Sequence, residues 1–223
     1  ASSMRCAART TRCAGSAALK ARYAITYDMD NKLGTDYHQR FLKFLESAQN
    51  EDLTCSGMVT DAKGDRSLSP GQQEDPDVYL RVVEVRKDGI VVRGAKAHQS
   101  GAALAHFNIV APTTSMRENE KEFAVAFAVP PNAPGMVHIA EAPAPNARRL
   151  SDGDEMNFGN FEYGVHGSTL AVFNDVFIPK EIVFMCGEYE FTGPLASTFG
   201  NFQRLATSGC KSGHCDLTYG AAA

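Results

Sequence analysis

The sequence predicts an α+β fold in which a mostly antiparallel β-sandwich or barrel lies between helical segments. Three observations carry this. An amphipathic helical pattern ends near residue 50, short β-type runs separated by turn residues fill residues 53–186, and helical spacing returns over residues 187–223. The chain therefore divides into residues 1–52, 53–186 and 187–223, the first and last parts reading as incomplete helical domains.

Residues 13–33 place Ala17, Ala21, Ala24 and Ile25 at helical spacing, although Gly15 weakens the signal. Upstream, Arg5, Arg9, Arg12, Lys20 and Arg22 precede any acidic residue, a composition shared by organelle transit peptides. The expectation is instead a helix entered part-way in a longer protein, because the chain opens on Ala rather than Met. The next helix has Thr35 or Asp36 as its cap and carries Tyr37, Phe41, Phe44, Leu45 and Ala48 on one apolar face up to about Asn50.

β-type runs follow at residues 53–60, 78–87, 90–97, 107–111, 123–129, 136–140, 158–163 and 170–178. Ser69-Pro70-Gly71, Pro130-Pro131-Asn132, Ala133-Pro134-Gly135 and Asp152-Gly153-Asp154 punctuate them. Asp88-Gly89 joins the second and third runs, a dipeptide suited to the positive-φ positions of a tight hairpin turn. Phe199, Phe202, Leu205 and Ala206 then mark the last helix, which is still running at Ala223.

Bulk composition narrows the function classes. A formal charge of −4 without a long basic run excludes nucleic acid as the main partner. No apolar stretch approaches the roughly 20 residues of a membrane span. With 43% hydrophobic and 22% charged residues the composition is ordinary for a globular protein. Cys6, Cys13, Cys55, Cys186, Cys210 and Cys215 are scattered, unlike a small secreted disulfide framework, and suit reduced thiols or metal ligands in a cytoplasmic protein.

Several familiar chemistries are missing. There is no G-x-G-x-x-G after a strand, no phosphate-binding P-loop and no G-x-S-x-G elbow. The cluster from Cys210 to Cys215, with His214 between, lacks the second pair of a zinc ribbon. His38, His106 and His138 read as satisfied polar residues. The densest polar region is residues 55–102, where a glycine-containing loop (60–70) and the strand end Lys96-Ala97-His98-Gln99-Ser100-Gly101 bring donors and acceptors among small neighbours. It suits a ligand floor, or equally a surface hairpin with polar ends.

Five segments carry a resemblance: TDAKGDRSLSP (60–70), DPDVYLRVVEVRKDGIVVRGAKAHQSGA (75–102), VFNDVFIP (172–179), FMCGEYEFTGP (184–194) and SGCKSG (208–213). They resemble the 4-hydroxybutyryl-CoA dehydratase/vinylacetyl-CoA isomerase family, within the wider 4-hydroxyphenylacetate 3-hydroxylase flavoproteins of acyl-CoA dehydrogenase-like fold. The match runs in register from about Cys13 to the last residue. It implies helical domains on either side of a central β domain, with FAD between the β domain and the last helices. It also implies that Thr60, Asp61, Lys63, Gly64, Asp65, Arg66, His98, Gln99 and Ser100 line the flavin and substrate, that Ser100 and Lys211 bind or polarise substrate, and that the protein is a homo-oligomer.

The resemblance further implies a [4Fe-4S] cluster held by three Cys and one His, from C-x3-C on a helix and H-x6-C followed by Lys. Here Cys13 and Cys210 match two ligands and Lys211 the Lys, whereas Arg9 and Gln203 stand at the other two positions. The cluster site is incomplete, and Cys6, His214 and Cys215 are the available substitutes. Ser100 stands where the family tends to have Thr, Thr207 where it has Tyr, and residues 164–168 show no Glu to act as a base.

Three functions follow as expectations. The first is an FAD-dependent dehydratase and isomerase, or a related oxidoreductase, acting on an acyl-CoA. The second is a reduced-flavin 4-hydroxyphenylacetate 3-monooxygenase-type enzyme acting on a small aromatic substrate, which needs no cluster. The third is a truncated, inactive paralogue. No nucleic acid or membrane partner is expected.

Overall fold

A computed structural model describes residues 2–141 and 168–222, with the side chains of residues 2–13 and a few near the C-terminus outside the description. The helix expected from residue 13 spans the whole of Ser2–Leu33 (α1). It buries Ala17, Ala18, Ala21, Ile25 and Met29, small residues that let the helix lie close on the sheet beneath it. Gly15, which lowers helical propensity, is explained by this packing. A Cβ there would sit 1.8 Å from the Cys55 carbonyl oxygen, and one on Gly57 would sit 2.8 Å from the Ala14 carbonyl oxygen. The two glycines let helix and strand backbones touch.

The second helix, Tyr37–Asn50 (α2), buries Tyr37, Phe41, Phe44 and Ala48 as its pattern predicts, with Leu45 partly buried. Its cap differs from the expectation. Asp36 occupies the N-cap position but its side chain makes no capping bond; Asp30 near the end of α1 accepts instead from the backbone N–H groups of Tyr37 and His38, each at 3.0 Å, and from the Thr35 hydroxyl at 2.6 Å. One carboxylate thus satisfies the free donors of the helix start and fixes the turn between the two helices. Asp36 instead pairs with Arg40 one turn on.

Eight strands follow among the described residues: Cys55–Met58 (β1), Arg81–Val85 (β2), Gly89–Ser100 (β3), Phe107–Val110 (β4), Val125–Val129 (β5), Met136–Glu141 (β6), Ser168–Pro179 (β7) and Val183–Cys186 (β8). The run expected at residues 158–163 lies outside the described residues. Two four-stranded sheets form, in the orders β1-β4-β5-β8 and β2-β3-β7-β6. All described pairings are antiparallel except β1 with β4. Among the described residues neither sheet closes on itself, and the two pack face to face as layers of a sandwich.

Val92, Phe173, Val176 and Ile178 from one sheet meet Val125, Phe127, Val183 and Met185 from the other in the main core, where the Phe127 and Phe173 rings stand edge to face at 6.1 Å. β8 is absent from the strands read in the sequence. It nevertheless alternates: Val183 and Met185 join the main core, while Phe184 points back to Phe41 of α2 at 5.4 Å.

The β2–β3 hairpin forms as expected, but its turn uses no positive φ at Asp88 or Gly89. Gly89 serves a close approach instead, since a Cβ there would meet the Ile178 carbonyl oxygen at 2.2 Å and the Phe177 ring at 2.8 Å. The final helix, Thr192–Ala222 (α3), begins where the Thr192 hydroxyl accepts from the Met116 backbone N–H at 2.8 Å and donates to the Tyr189 carbonyl at 2.7 Å. Phe199 packs on the core, whereas Leu205 is 71% exposed.

The Gly15 contact gives a sign test. Gly15→Ala would gain roughly 1 kcal/mol of helix propensity in isolation. The clash with the Cys55 carbonyl opposes it and costs about 1–3 kcal/mol or more, since backbone rather than a flexible side chain must move. Urea unfolding is expected to show net destabilisation, and a raised midpoint would contradict the packing of α1 on β1.

Candidate functional site

The ends of β1 and β3 meet at one side chain. Lys96 is 2% exposed, and its ammonium donates to the Val59 carbonyl at 3.0 Å, to the Ala111 carbonyl at 2.7 Å and to the Asp61 carboxylate. These acceptors follow the ends of the parallel strands β1 and β4, so a cation from one sheet fastens the strand ends of the other. Asp61 is itself 4% exposed and also accepts from the Thr113 hydroxyl. Burial pushes the Lys96 pKa below its ordinary value, with Asp61 opposing that push. An ion pair with every oxygen and proton engaged is the form in which such charges survive burial.

Past Lys96, β3 bulges. Its register against β7 shifts between Lys96 and Gln99, and His98 adopts φ of +55°, a left-handed backbone rare for a side-chain-bearing residue. The bulge turns His98 outward while Gln99 points in, 2% exposed. The Gln99 amide donates to the Thr60 carbonyl at 2.8 Å and to the Ala97 carbonyl, and the Ala97 backbone N–H donates to Thr60 at 3.0 Å. Ser100 ends the strand with its hydroxyl 3.1 Å from that of Ser168, and its carbonyl accepts from the Ser56 hydroxyl at 3.0 Å.

The loop from Asp61 is held at its base and along its length. Lys63 has φ of +67°; the Gln73 amide accepts from the Asp65 backbone N–H at 2.9 Å and donates to the Asp65 carbonyl at 2.8 Å. Asp65 accepts from the Ser67 backbone and hydroxyl, which hold its carboxyl below the usual range. Glu120, 1% exposed, anchors the far side by accepting from Gly71 at 3.2 Å. Lys63 is half-buried, while Gly64, Asp65 and Arg66 are exposed.

A cavity of about 350 Å³ opens beside this junction, lined by Thr60, His98, Gln99, Ser100, Thr113 and Gln203 together with small and apolar residues of α1, β1 and α3. Four of the nine expected cofactor residues therefore share one cavity. Asp61 lies behind it as the partner of Lys96, and Lys63, Gly64, Asp65 and Arg66 belong to the adjoining loop rather than to the lining. Gln203, at one of the positions expected at a cluster, lines the cavity, as does Ala14, the residue after Cys13; the Cys13 side chain lies outside those described. Cys210 and Lys211 sit two turns beyond Gln203 on α3, about 10 Å along the axis, and are not among the lining residues. Lys211 is exposed.

Among the described residues no three His, Cys, Asp or Glu side chains gather as a metal-binding group. Burial pushes the Cys55 thiol from 9.0 up to about 11, which keeps it protonated and unreactive at neutral pH. His38 and His106 are satisfied, by the Thr26 hydroxyl at 2.9 Å and the Thr54 backbone N–H at 2.9 Å. His138 meets the Thr169 hydroxyl at 3.1 Å through Nδ1, while its buried Nε2 has no partner among the described residues. Among the described residues no helix is long and apolar enough to cross a membrane. Sequence reading missed the anchoring role of Lys96, which the pattern grouped with the polar strand end that follows it.

The 4-hydroxyphenylacetate 3-hydroxylase N-terminal family profile matches residues 1–185. The chain is 44% identical over 212 residues to the 4-hydroxybutyryl-CoA dehydratase/vinylacetyl-CoA-Delta-isomerase of Clostridium aminobutyricum, covering 95% of this chain and 43% of that protein. It is 32% identical over 163 residues to the FADH2-dependent monooxygenase TftD of Burkholderia cepacia, covering 70% of this chain and 29% of that one. The structure of an oxygen-tolerant archaeal 4-hydroxybutyryl-CoA dehydratase from N. maritimus superposes with a TM-score of 0.87 at 38% identity, over 95% of this chain and 42% of that one. The chain thus spans less than half the length of these relatives.

Lys96→Met is expected to destabilise the fold by about 3–5 kcal/mol in urea unfolding, because it strands the buried Asp61 carboxylate. Adding Asp61→Leu should recover most of that loss, and additive losses would contradict the pairing. At alkaline pH, unfolded Cys55 ionises near 9.0 while the folded thiol stays protonated to about 11. Stability therefore falls as pH rises through this window, and the fall should be shallower in Cys55→Val.

Proposed function

The chain belongs to the 4-hydroxyphenylacetate 3-hydroxylase N-terminal family, and from that premise we propose that its cavity is one wall of a FAD site. The protein is then an acyl-CoA dehydrogenase-like flavoprotein of the 4-hydroxybutyryl-CoA dehydratase/isomerase type. The observation that carries this is convergence: Thr60, His98, Gln99 and Ser100 from the β region meet Ala14 and Gln203 from the two long helices around one cavity. Its lining suits a flat ring. Ala14, Gly57, Thr60, Ser100 and Thr113 are small or hydroxylic, and Phe199 offers an aromatic surface.

In this reading the flavin supplies the electron chemistry when bound. The residues of the chain hold and orient it. The Lys96–Asp61 pair and the Gln99 amide keep the floor rigid, so that no backbone carbonyl at Thr60 or Ala97 needs water. Lys63 and Arg66, on the adjoining loop, supply the cations that a pyrophosphate needs. Ser100 presents a hydroxyl to the substrate, and Lys211 a cation further along α3. An acyl-CoA ester is the substrate class, and a cytoplasmic homo-oligomer is the working form.

The residues present do not fit a four-ligand [4Fe-4S] cluster. Arg9 and Gln203 occupy two of the positions at which the family resemblance implies ligands, and an amide is a poor substitute for imidazole or thiolate. No step is assigned to a cluster. The same two residues favour a second reading, a cluster-free reduced-flavin monooxygenase-type enzyme acting on a phenol.

Purified anaerobically and supplied with FAD, the chain is expected to retain flavin absorbance without a broad iron–sulfur shoulder. Stoichiometric iron with that shoulder would restore the cluster, and no retained flavin would remove the flavin reading. The double variant Lys63→Ala/Arg66→Ala should weaken FAD binding at least about tenfold, or roughly 1.4 kcal/mol, measured by fluorescence titration.

A further inference from the structure

Among the described residues, four buried side-chain atoms lack a hydrogen-bond partner: Arg22 Nε, Asn108 Oδ1, His138 Nε2 and Gln203 Oε1. Only Gln203 of these four residues lines the cavity described above. It stands on the same face of α3 as Ala196 and Phe199, at the spacing that turns all three toward the cavity. A buried carboxamide oxygen without a protein donor destabilises a fold on the scale of a lost hydrogen bond, and such a cost persists in native proteins where a bound partner, ligand or water, removes it. The terminal dihedral of a glutamine is soft, so the amide can turn to meet a donor that enters the cavity.

We propose that Gln203 reads the ligand of this cavity by accepting a hydrogen bond at Oε1 from an N–H or O–H group. The inference rests on the flavin reading and deepens it. Two sources share this donor chemistry, an edge N–H of the flavin ring and the terminal hydroxyl of a hydroxyacyl-CoA. An acceptor here discriminates: a ligand lacking the donor leaves the oxygen stranded, and discrimination of that kind is stronger than a hydrophobic wall can give.

The test uses Gln203→Leu and the unbranched Gln203→Met in the full chain, so that one poorly folding variant does not decide the matter. Melting without ligand, affinity for FAD by fluorescence quenching, and affinity for 4-hydroxybutyryl-CoA at saturating FAD are measured. Ligand-free melting should be unchanged or higher by a few degrees, because the stranded oxygen is gone, while one affinity falls at least about tenfold. Weaker FAD binding assigns the donor to the flavin ring. Unchanged FAD binding with weaker CoA-ester binding assigns it to the substrate hydroxyl. If the parent binds FAD and neither variant alters either affinity, or both melt lower without ligand, this inference alone is overturned. If the parent binds no FAD, the flavin reading falls and this inference falls with it.

Discussion

The buried ion pair between Lys96 and Asp61 is the constraint on which the arrangement of the site depends. Two sheets of a sandwich are normally held by side-chain packing, which is non-directional and tolerates sliding. Here the Lys96 ammonium reaches out of one sheet and donates to Val59 and Ala111, just beyond the ends of two strands in the other. That sets the sheets in one register at the edge where the cavity opens. Removing either partner would leave a charge in a site with no water to receive it, so the geometry is locked as well as stabilised. The bulge at His98 and the inward turn of Gln99 begin one residue beyond this anchor.

The helices complete the site by a different device. Gly15 and Gly57 remove the two side chains that would separate α1 from β1, and backbone contact follows. Ala14 therefore lies at the cavity wall, and α3, fixed at Thr192 by Met116 and Tyr189, brings Gln203 opposite. The site is a meeting of three rigid parts, the usual way a scaffold holds a ligand with small positional error.

Much of the fold was legible in the sequence. The apolar face of α2, the long β3 and β7 strands and the hairpin between β2 and β3 all obey simple periodicity. What was not legible depends on contacts between distant residues. Asp30 caps a helix seven residues later, which no local cap rule anticipates. Gly89 reads as a turn glycine but serves the approach of β7. At the site, the loop from Thr60 and the strand end at His98–Ser100 stood out as one polar region, whereas the engagement of the Asp61 carboxylate by Lys96 and Thr113 gave no signal. A charged residue that is buried and paired gives no periodic signal, because its partner lies 35 residues away.

In the proposed reading Lys96, Asp61 and Gln99 hold the floor on which a flavin lies, while Gln203 and Arg9 stand where the resemblance implies cluster ligands. The most direct test of the account is amide hydrogen exchange of the chain with and without FAD. The account predicts slowed exchange at residues 60–61, 97–100 and 196–203 together, on both walls of one cavity. Protection confined to segments away from this cavity, or none at these segments despite flavin binding, would contradict it.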